Sequence, residues 1–244
     1  MNIYESPRLV DEYLLFHYAT AEEILPHPHG PADALHFAVR SVVENVPATP
    51  RTRALDLGCA VGRSSFELSR FCADVIGIDF SHAFIATAQR LQADEIVPYR
   101  RHEEGHRFTP LTARRPADAR PGHLGFDPGD AMSLRGDLGA FDLVHAANLL
   151  CRLPEPARLL ARLPALVRPA GILVLTTPCT WLGEFTPPEN WPAGSTLDML
   201  REHLENDFAL QAIRDLPFLI RETARKYQWS VAPATVWERR ADGA

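Results

Sequence analysis

An acid closing an apolar run, glycines at fixed spacing behind it, and then a helix-compatible stretch form a pattern that can hold a nucleotide. Residues 54–65 read Ala-Leu-Asp-Leu-Gly-Cys-Ala-Val-Gly-Arg-Ser-Ser. The spacing predicts a strand ending at Asp56-Leu57, a tight turn through Gly58, Cys59, Ala60 and Gly62, and a helix whose unsatisfied N–H groups face a ligand. The glycines allow close approach of the backbone. A second apolar run, Val75-Ile76-Gly77-Ile78, ends at Asp79 with Phe80 next to it. An acid at that place accepts hydrogen bonds from both hydroxyls of a ribose.

The nature of the nucleotide follows from the glycines. The dinucleotide pattern G-x-G-x-x-G laid on Gly58 requires glycine where Ala60 and Arg63 stand, which disfavours a nicotinamide dehydrogenase. Further along come Gly129-Asp130-Ala131-Met132 and then Phe141-Asp142-Leu143-Val144. These four stretches, in this order, resemble motifs I to IV of the class I S-adenosylmethionine methyltransferases. The family's commonest motif I has glycine where Ala60 stands. The resemblance implies S-adenosylmethionine as cofactor and S-adenosylhomocysteine as product. It also implies an α/β fold: a Rossmann-like, seven-stranded, mostly parallel sheet with helices on both faces. Cofactor contacts then fall on Asp56, Gly58, Cys59, Ala60, Gly62, Asp79, Phe80, Asp130, Ala131, Met132 and Ala146.

Composition fits one such unit over 1–244. The chain is 46% hydrophobic, enough for a full core. A formal net charge of -6 argues against a nucleic-acid partner. The basic residues are arginines apart from Lys226, read as a compositional bias of the source genome. Cys59, Cys72, Cys151 and Cys179 are scattered with no C-x-x-C pair. No metal site or disulfide framework is expected, and a cytoplasmic location fits. No apolar run reaches the roughly 18 residues that span a bilayer, and the N-terminus lacks the pattern of a signal peptide.

The elements that must position these residues follow from periodicity. Helices are expected over Pro7 to Tyr18 and from about Pro31 to Val46, as an N-terminal helical cover over 1–50. Strand 53–57, a helix near 63–71, strand 74–79 and a helix from Ser81, a good N-cap, to Leu91 come next. Residues 94–128 interrupt the alternation with prolines and arginines and are too long for an ordinary connector. They read as an insertion around the third strand, a hairpin or a mobile lid, whose arginines form a solvated face. Strand 141–146, a helix kinked or broken at Pro164, strand 172–177, a helix capped by Thr196, and strands near 208–214 and 227–238 complete the plan. Pro233 suggests a bulge or an edge in the last.

Ligands of open parallel sheets sit at the carboxyl ends of the strands. The substrate should therefore meet residues after the fourth and fifth strands, plus the cover. Asn148, directly after motif IV, has the strongest claim. Arg152, Cys179, Thr180, Trp181 and Phe185 are its neighbours, with Tyr13, His17 and Tyr18 from the cover. Each has a bland alternative as packing. Several runs are distinctive together: Tyr4-Glu5, Glu12 to Tyr18, Glu23 to Pro26, His145 to Leu153, Thr177 to Leu182 and Arg221 to Trp229. Over nearly the whole chain they resemble the 5-thiohistidine (4-mercaptohistidine) N-methyltransferases of ovothiol biosynthesis. Those methyltransferases are often the C-terminal domain of an iron-dependent sulfoxide synthase; here that step is expected in a separate chain.

This resemblance implies a small-molecule substrate, 5-thiohistidine, methylated on the π nitrogen of its imidazole to give ovothiol A. If the substrate ring is protonated, a base is needed, and His17, His145 and Glu222 are candidates. Asn148, Tyr13, Tyr18 and Trp181 would clamp the ring and hold its softer sulfur away from the methyl. Arg152 or Arg221 suits the carboxylate and Glu222 the ammonium. The alternatives are a methyltransferase of another small imidazole, phenol or amino-acid metabolite, and a cofactor-binding partner without turnover.

Overall fold

The computed structural model describes residues 3–241. Its strands are β1 (Arg51–Leu57), β2 (Cys72–Asp79), β3 (Val97–Glu104), β4 (Arg107–Ala113), β5 (Leu124–Pro128), β6 (Phe141–Ala147), β7 (Val167–Thr176), β8 (Phe208–Arg221) and β9 (Tyr227–Arg239). Its α-helices are α1 (Pro7–Tyr18), α2 (Ala21–Ile24), α3 (Phe37–Val43), α4 (Arg63–Leu68), α5 (His82–Gln92), α6 (Pro156–Leu166) and α7 (Thr196–Leu204). Seven strands form one sheet in the order β5-β2-β1-β6-β7-β9-β8. The pairs from β5 to β7 are parallel, and β9 enters antiparallel between β7 and β8. The order reverses between β1 and β6, which opens a crevice at the carboxyl ends of these central strands.

Both faces of the sheet are covered, so its central strands are apolar on both sides. Alternate residues feed two cores, as the two-residue period requires. Ala54, Leu143 and Val174 join Leu14, Val42, Phe66 and Phe84 from α1, α3, α4 and α5. Leu55, Val144 and Leu173 join Leu159, Leu163, Leu200 and Leu204 from α6 and α7.

Local chemistry sets several boundaries differently from the periodicity. The helix expected over 31–46 is broken: His36 is left-handed at φ 55° and α3 starts only after it. α6 runs through Pro164 to Leu166 without breaking. The cap of α7 is Ser195, not Thr196, in a reciprocal capping box with Asp198. β8 extends to Arg221, well beyond residue 214, and Pro217 is tolerated because β8 is an edge. Pro233 marks neither bulge nor edge. It pairs with Asp215 in an internal strand, one residue past the β7 pairing that ends at Ala234.

Residues 94–128 contain β5 and, before it, β3 and β4 paired as a separate two-stranded sheet. One buried guanidinium fastens this hairpin. Arg221 Nη2 donates to Glu103 Oε2 at 2.7 Å, its Nη1 to the Glu23 carbonyl at 2.8 Å, and its Nε to the Thr223 carbonyl at 3.1 Å. Arg101 and Thr109 also donate to Glu103. Burial raises the Glu103 carboxyl, and these donors outweigh it, so it lies below its ordinary range.

Removing the guanidinium leaves Glu103 with Arg101 and Thr109 but takes the Arg221 donors from its Oε2 and from the Glu23, Ile24 and Thr223 carbonyls. Arg221→Ala is therefore expected to lose about 1–3 kcal/mol in urea unfolding, the cost of hydrogen bonds to a charged group left unmade. A folded pKa that is depressed contributes stability above the ordinary carboxyl range and loses it as pH falls through that range. The gap between wild type and Glu103→Gln should narrow accordingly on acidification.

Candidate active site

The strand–turn–helix from β1 to α4 is built on positive φ angles: Gly58 at 69°, Ala60 at 48° and Gly62 at 86°. A side chain at Gly62 would come within 2.7 Å of Phe126, and one at Gly58 within 3.1 Å of Leu149. Ala60 is the exception, an L-residue held in left-handed backbone at a cost of about 1–2 kcal/mol, which explains why glycine suits this place. The turn is tied to β2: Gly58 and Cys59 N–H donate to the Ile78 carbonyl at 2.8 and 3.1 Å.

Asp79 ends β2 facing this turn. Its Oδ2 accepts from Ala60 N–H at 2.9 Å and its Oδ1 from Ser81 N–H at 2.8 Å. A carboxylate retains further lone pairs for a diol. Burial pushes this carboxyl up to about 6, against the pull of the two N–H donors. Phe80 beside it is 64% exposed, a free aromatic face at the mouth of the crevice. Gly129 N–H donates to the Asp79 carbonyl at 2.9 Å. This brings the turn of Asp130, Ala131 and Met132 alongside, closed by Met132 N–H on Asp130 Oδ1 at 2.8 Å. Ala146 pairs with Leu57 across β1 and β6. Gly58, Cys59, Ala60, Gly62, Asp79, Phe80, Asp130, Ala131, Met132 and Ala146 thus lie together at the carboxyl ends of β1, β2, β5 and β6.

Asp56 stands apart from this group. It is wholly buried and accepts from Ser64 Oγ at 2.7 Å, Ser65 Oγ at 2.5 Å and His145 Nδ1 at 2.8 Å. It supports the turn from behind and presents no carboxylate to the crevice. His145, expected as a catalytic base, is sealed in the core with it. The ring is wholly buried, and its Nε2 is engaged by Ser41 Oγ at 3.1 Å. With both nitrogens occupied inside the core, it has no route to a substrate proton.

On the substrate side, Asn148 is left-handed at φ 54°, and its N–H donates to the Thr176 carbonyl at 2.8 Å. Its Oδ1 accepts from Thr176 Oγ1 at 2.9 Å, which leaves the Nδ2 amide as its donor to a ligand. Arg152 donates to the Thr180 carbonyl at 3.1 Å and lies 4.8 Å above the Phe185 ring. Tyr4 joins them. Its ring meets Phe185 at 6.4 Å, Tyr13 at 6.2 Å and Phe84 at 5.9 Å, and its hydroxyl is hydrogen-bonded to Arg152. The backbone of Tyr4 accepts from Ser81 Oγ at 2.9 Å, and Glu5 accepts the first N–H groups of α5. Tyr4 and Glu5 thus fasten the cover across the β2–α5 turn. The only trace in the sequence is the distinctive Tyr4-Glu5 pair, because a single 3-10 turn has no periodicity.

Tyr13, His17 and Tyr18 share the inner side of α1. Tyr18 Oη donates to the Val61 carbonyl at 2.7 Å, and Tyr13 packs on Phe84 at 4.7 Å. His17 Nδ1 is buried with no hydrogen-bond partner, the only such side-chain atom among the described residues. An orphaned buried polar group costs about 1–3 kcal/mol. Burial and the Arg63 cation push His17 down to about 3, with Asp56 opposing. The ring is neutral at physiological pH and too weak to act as a general base.

Three expected substrate residues lie elsewhere. Trp181 is partly buried against the core that α6 and α7 cover, and its Nε1–H is spent on Thr196 Oγ1 at 2.9 Å. Arg221 is consumed by the hairpin anchor. Glu222 is paired with Lys226 at 2.6 Å. Arg221 and Glu222 line a separate cavity of about 230 Å³ with Arg8, Glu12, Arg100 and Phe108, between the outer side of α1 and the hairpin.

A parallel sheet reversed between β1 and β6, a left-handed glycine turn and an acid closing β2 together define a nucleotide cradle of the methyltransferase kind. Residues 27–224 match the methyltransferase domain family, and the chain belongs to it; it is a class I S-adenosylmethionine-dependent methyltransferase. It is 30% identical over 148 residues to a trans-aconitate 2-methyltransferase of Deinococcus radiodurans, covering 60% of this chain and 45% of that protein. It is 27% identical over 127 residues to a ubiquinone biosynthesis O-methyltransferase of Methylococcus capsulatus, covering 51% of this chain and 43% of that protein. These matches span less than half the length of either relative. The YcgJ protein of Bacillus subtilis shares the fold at a TM-score of 0.57 and 12% identity, over 85% of this chain and 100% of that one. So does the N-methyltransferase NodS of Bradyrhizobium japonicum, in complex with S-adenosyl-l-homocysteine, at 0.54 and 14%, over 95% and 99%. No helix among the described residues is long and apolar enough to cross a membrane.

Asp79 should dominate the affinity for the nucleoside. Asp79→Ala is expected to weaken S-adenosylhomocysteine binding about 10–100-fold in calorimetry, the loss of charge-assisted hydrogen bonds. Wild-type affinity should fall as pH drops through about 6, because the protonated carboxyl no longer accepts from both hydroxyls. Asp79→Asn should be weak and flat over the same range.

Proposed function

We propose that this chain transfers a methyl group from S-adenosylmethionine to the π nitrogen of 5-thiohistidine, yielding ovothiol A. Convergence is the observation that carries the reading. Tyr4, Tyr13, His17, Asn148 and Arg152 come from runs that resemble the thiohistidine N-methyltransferases. Tyr13 touches the rings of Tyr4 and His17 and feels the charges of Asp79 and Arg152, and Asn148 precedes Arg152 by one turn of chain, which supports a shared site. The aromatic cluster of Tyr4, Tyr13 and Phe185 is the kind of surface against which an imidazole packs. The Arg152 guanidinium is held by Cys151, Thr180 and Tyr4, and as the cation beside Tyr4 it suits the carboxylate of an amino acid.

When bound, the cofactor supplies a methyl already activated on a sulfonium, so positioning can provide much of the rate. Asn148, fixed by Thr176, orients the acceptor ring from its amide. The aromatic wall holds the thiol sulfur out of line. The C–S bond to the donor breaks as the N–C bond forms, and the second ring nitrogen releases its proton to solvent. None of the three candidate bases is poised to take that proton: His145 is sealed, His17 is held neutral, and Glu222 lines the other cavity. The acceptor must therefore enter with its lone pair available. An unperturbed imidazole titrates near about 6.5 and meets this condition at neutral pH.

Mass spectrometry of the products from 5-thiohistidine, with histidine in parallel, tests the reading. It is supported by one added methyl that fragmentation places on the π nitrogen. Methyl on sulfur, or on histidine alone, sinks it, as does cofactor binding without product. The rate should rise with pH through the substrate's own ring titration and then level. Asn148→Ala should lower kcat at least tenfold while cofactor affinity changes less than threefold, on the order of one lost oriented hydrogen bond. Unchanged turnover would remove Asn148 from the site.

A further inference from the structure

Among the described residues, Nδ1 of His17 is the one buried side-chain nitrogen or oxygen without a hydrogen-bond partner. Its ring lies between Tyr13 at 5.7 Å and Tyr18 at 6.4 Å on the inner side of α1. Tyr18 fixes that turn of helix to the Val61 carbonyl, inside the glycine turn, at 2.7 Å. His17 therefore stands over the glycine turn. The nucleoside end is addressed by the other limb of the crevice, at Asp79, Phe80 and Asp130 to Met132. What reaches the glycine turn from there is the amino-acid end of the cofactor.

The local field decides which part of that end His17 meets. Among the charges acting on His17, Arg63 outweighs Asp56. The Asp56 carboxylate is also taken up by Ser64, Ser65 and His145. Tyr13, Tyr18 and Cys59 stay protonated, since burial pushes each of them up. Arg63 is itself paired with Glu67 along α4, yet it is the strongest charge that His17 feels, and its sign selects a carboxylate anion over an ammonium. A neutral imidazole can offer Nδ1–H to that anion without first acquiring a charge.

We propose that His17 is a cofactor-positioning residue whose Nδ1–H donates to the α-carboxylate of the methionyl tail of S-adenosylmethionine. This rests on the cofactor assignment and not on the identity of the acceptor. It replaces acid–base work by His17 with the anchoring of a ligand.

Calorimetry with two ligands tests it. S-adenosylhomocysteine carries the tail, and 5′-methylthioadenosine carries the same nucleoside and thioether without the amino-acid end. His17→Ala should weaken S-adenosylhomocysteine at least tenfold and leave 5′-methylthioadenosine within twofold. His17→Asn, whose amide can place an N–H near the position of Nδ1, should restore most of the loss. Equal losses for both ligands, or no loss for either, would overturn the proposal and mark His17 as packing. A wild-type protein that binds neither ligand would overturn the cofactor assignment and this inference with it.

Discussion

The buried carboxylate of Asp56 is the constraint on which the rest of the site depends. It closes β1 at the point where the strand order reverses, and it is wholly out of water. Such a group is tolerable only when its lone pairs are filled. Ser64 and Ser65 come from α4, His145 from β6, and His145 in turn reaches Ser41 on α3. One acid thus fixes four elements around the root of the glycine turn. The left-handed backbone of Gly58, Ala60 and Gly62 would relax if its ends could move. Asp56 holds the strand before the turn to the helix after it, and Asp79 holds Ala60 at its middle, which keeps the turn preorganised.

The two acids divide the labour by side-chain direction. Asp56 points into the core and organises. Asp79 lies at the crevice, tied to Ala60 and Ser81, with lone pairs to spare. The cover completes the arrangement. Tyr18 grips the glycine turn, and Tyr4 and Glu5 grip the turn after β2. The aromatic wall and Arg152 therefore stand in fixed relation to the cradle. Alignment of donor and acceptor is what a protein chiefly contributes to transfer of an already activated methyl, and this fixed relation would supply it.

The cradle was legible in the sequence because its determinants are local. Glycines, an acid and strand ends lie within a few residues of one another, and turn chemistry constrains them directly. The facing of Asp56 was not, because a motif records that an acid is present and not which side of the strand it takes. The same gap misplaced His145, which the strand register sets opposite Asp56. Arg221 looked like a substrate clamp for a different reason. Its partners, Glu23 and Glu103, are remote in sequence, so nothing nearby shows that its donors are spent. Trp181 is a parallel case, its indole claimed by Thr196. The insertion of β3 and β4 was legible as a hairpin or a lid, but not how it is fastened, since its anchor is long-range too.

The most direct measurement is a crystal structure with S-adenosylhomocysteine and 5-thiohistidine bound together. The expected result places the ribose on Asp79, and the imidazole between the cofactor sulfur and Asn148, against Tyr4 and Tyr13. Its π nitrogen should lie in line with the sulfur and its thiol should point away. An acceptor found in the cavity of Arg8, Glu12 and Glu222, or a ribose away from Asp79, would contradict the site described above.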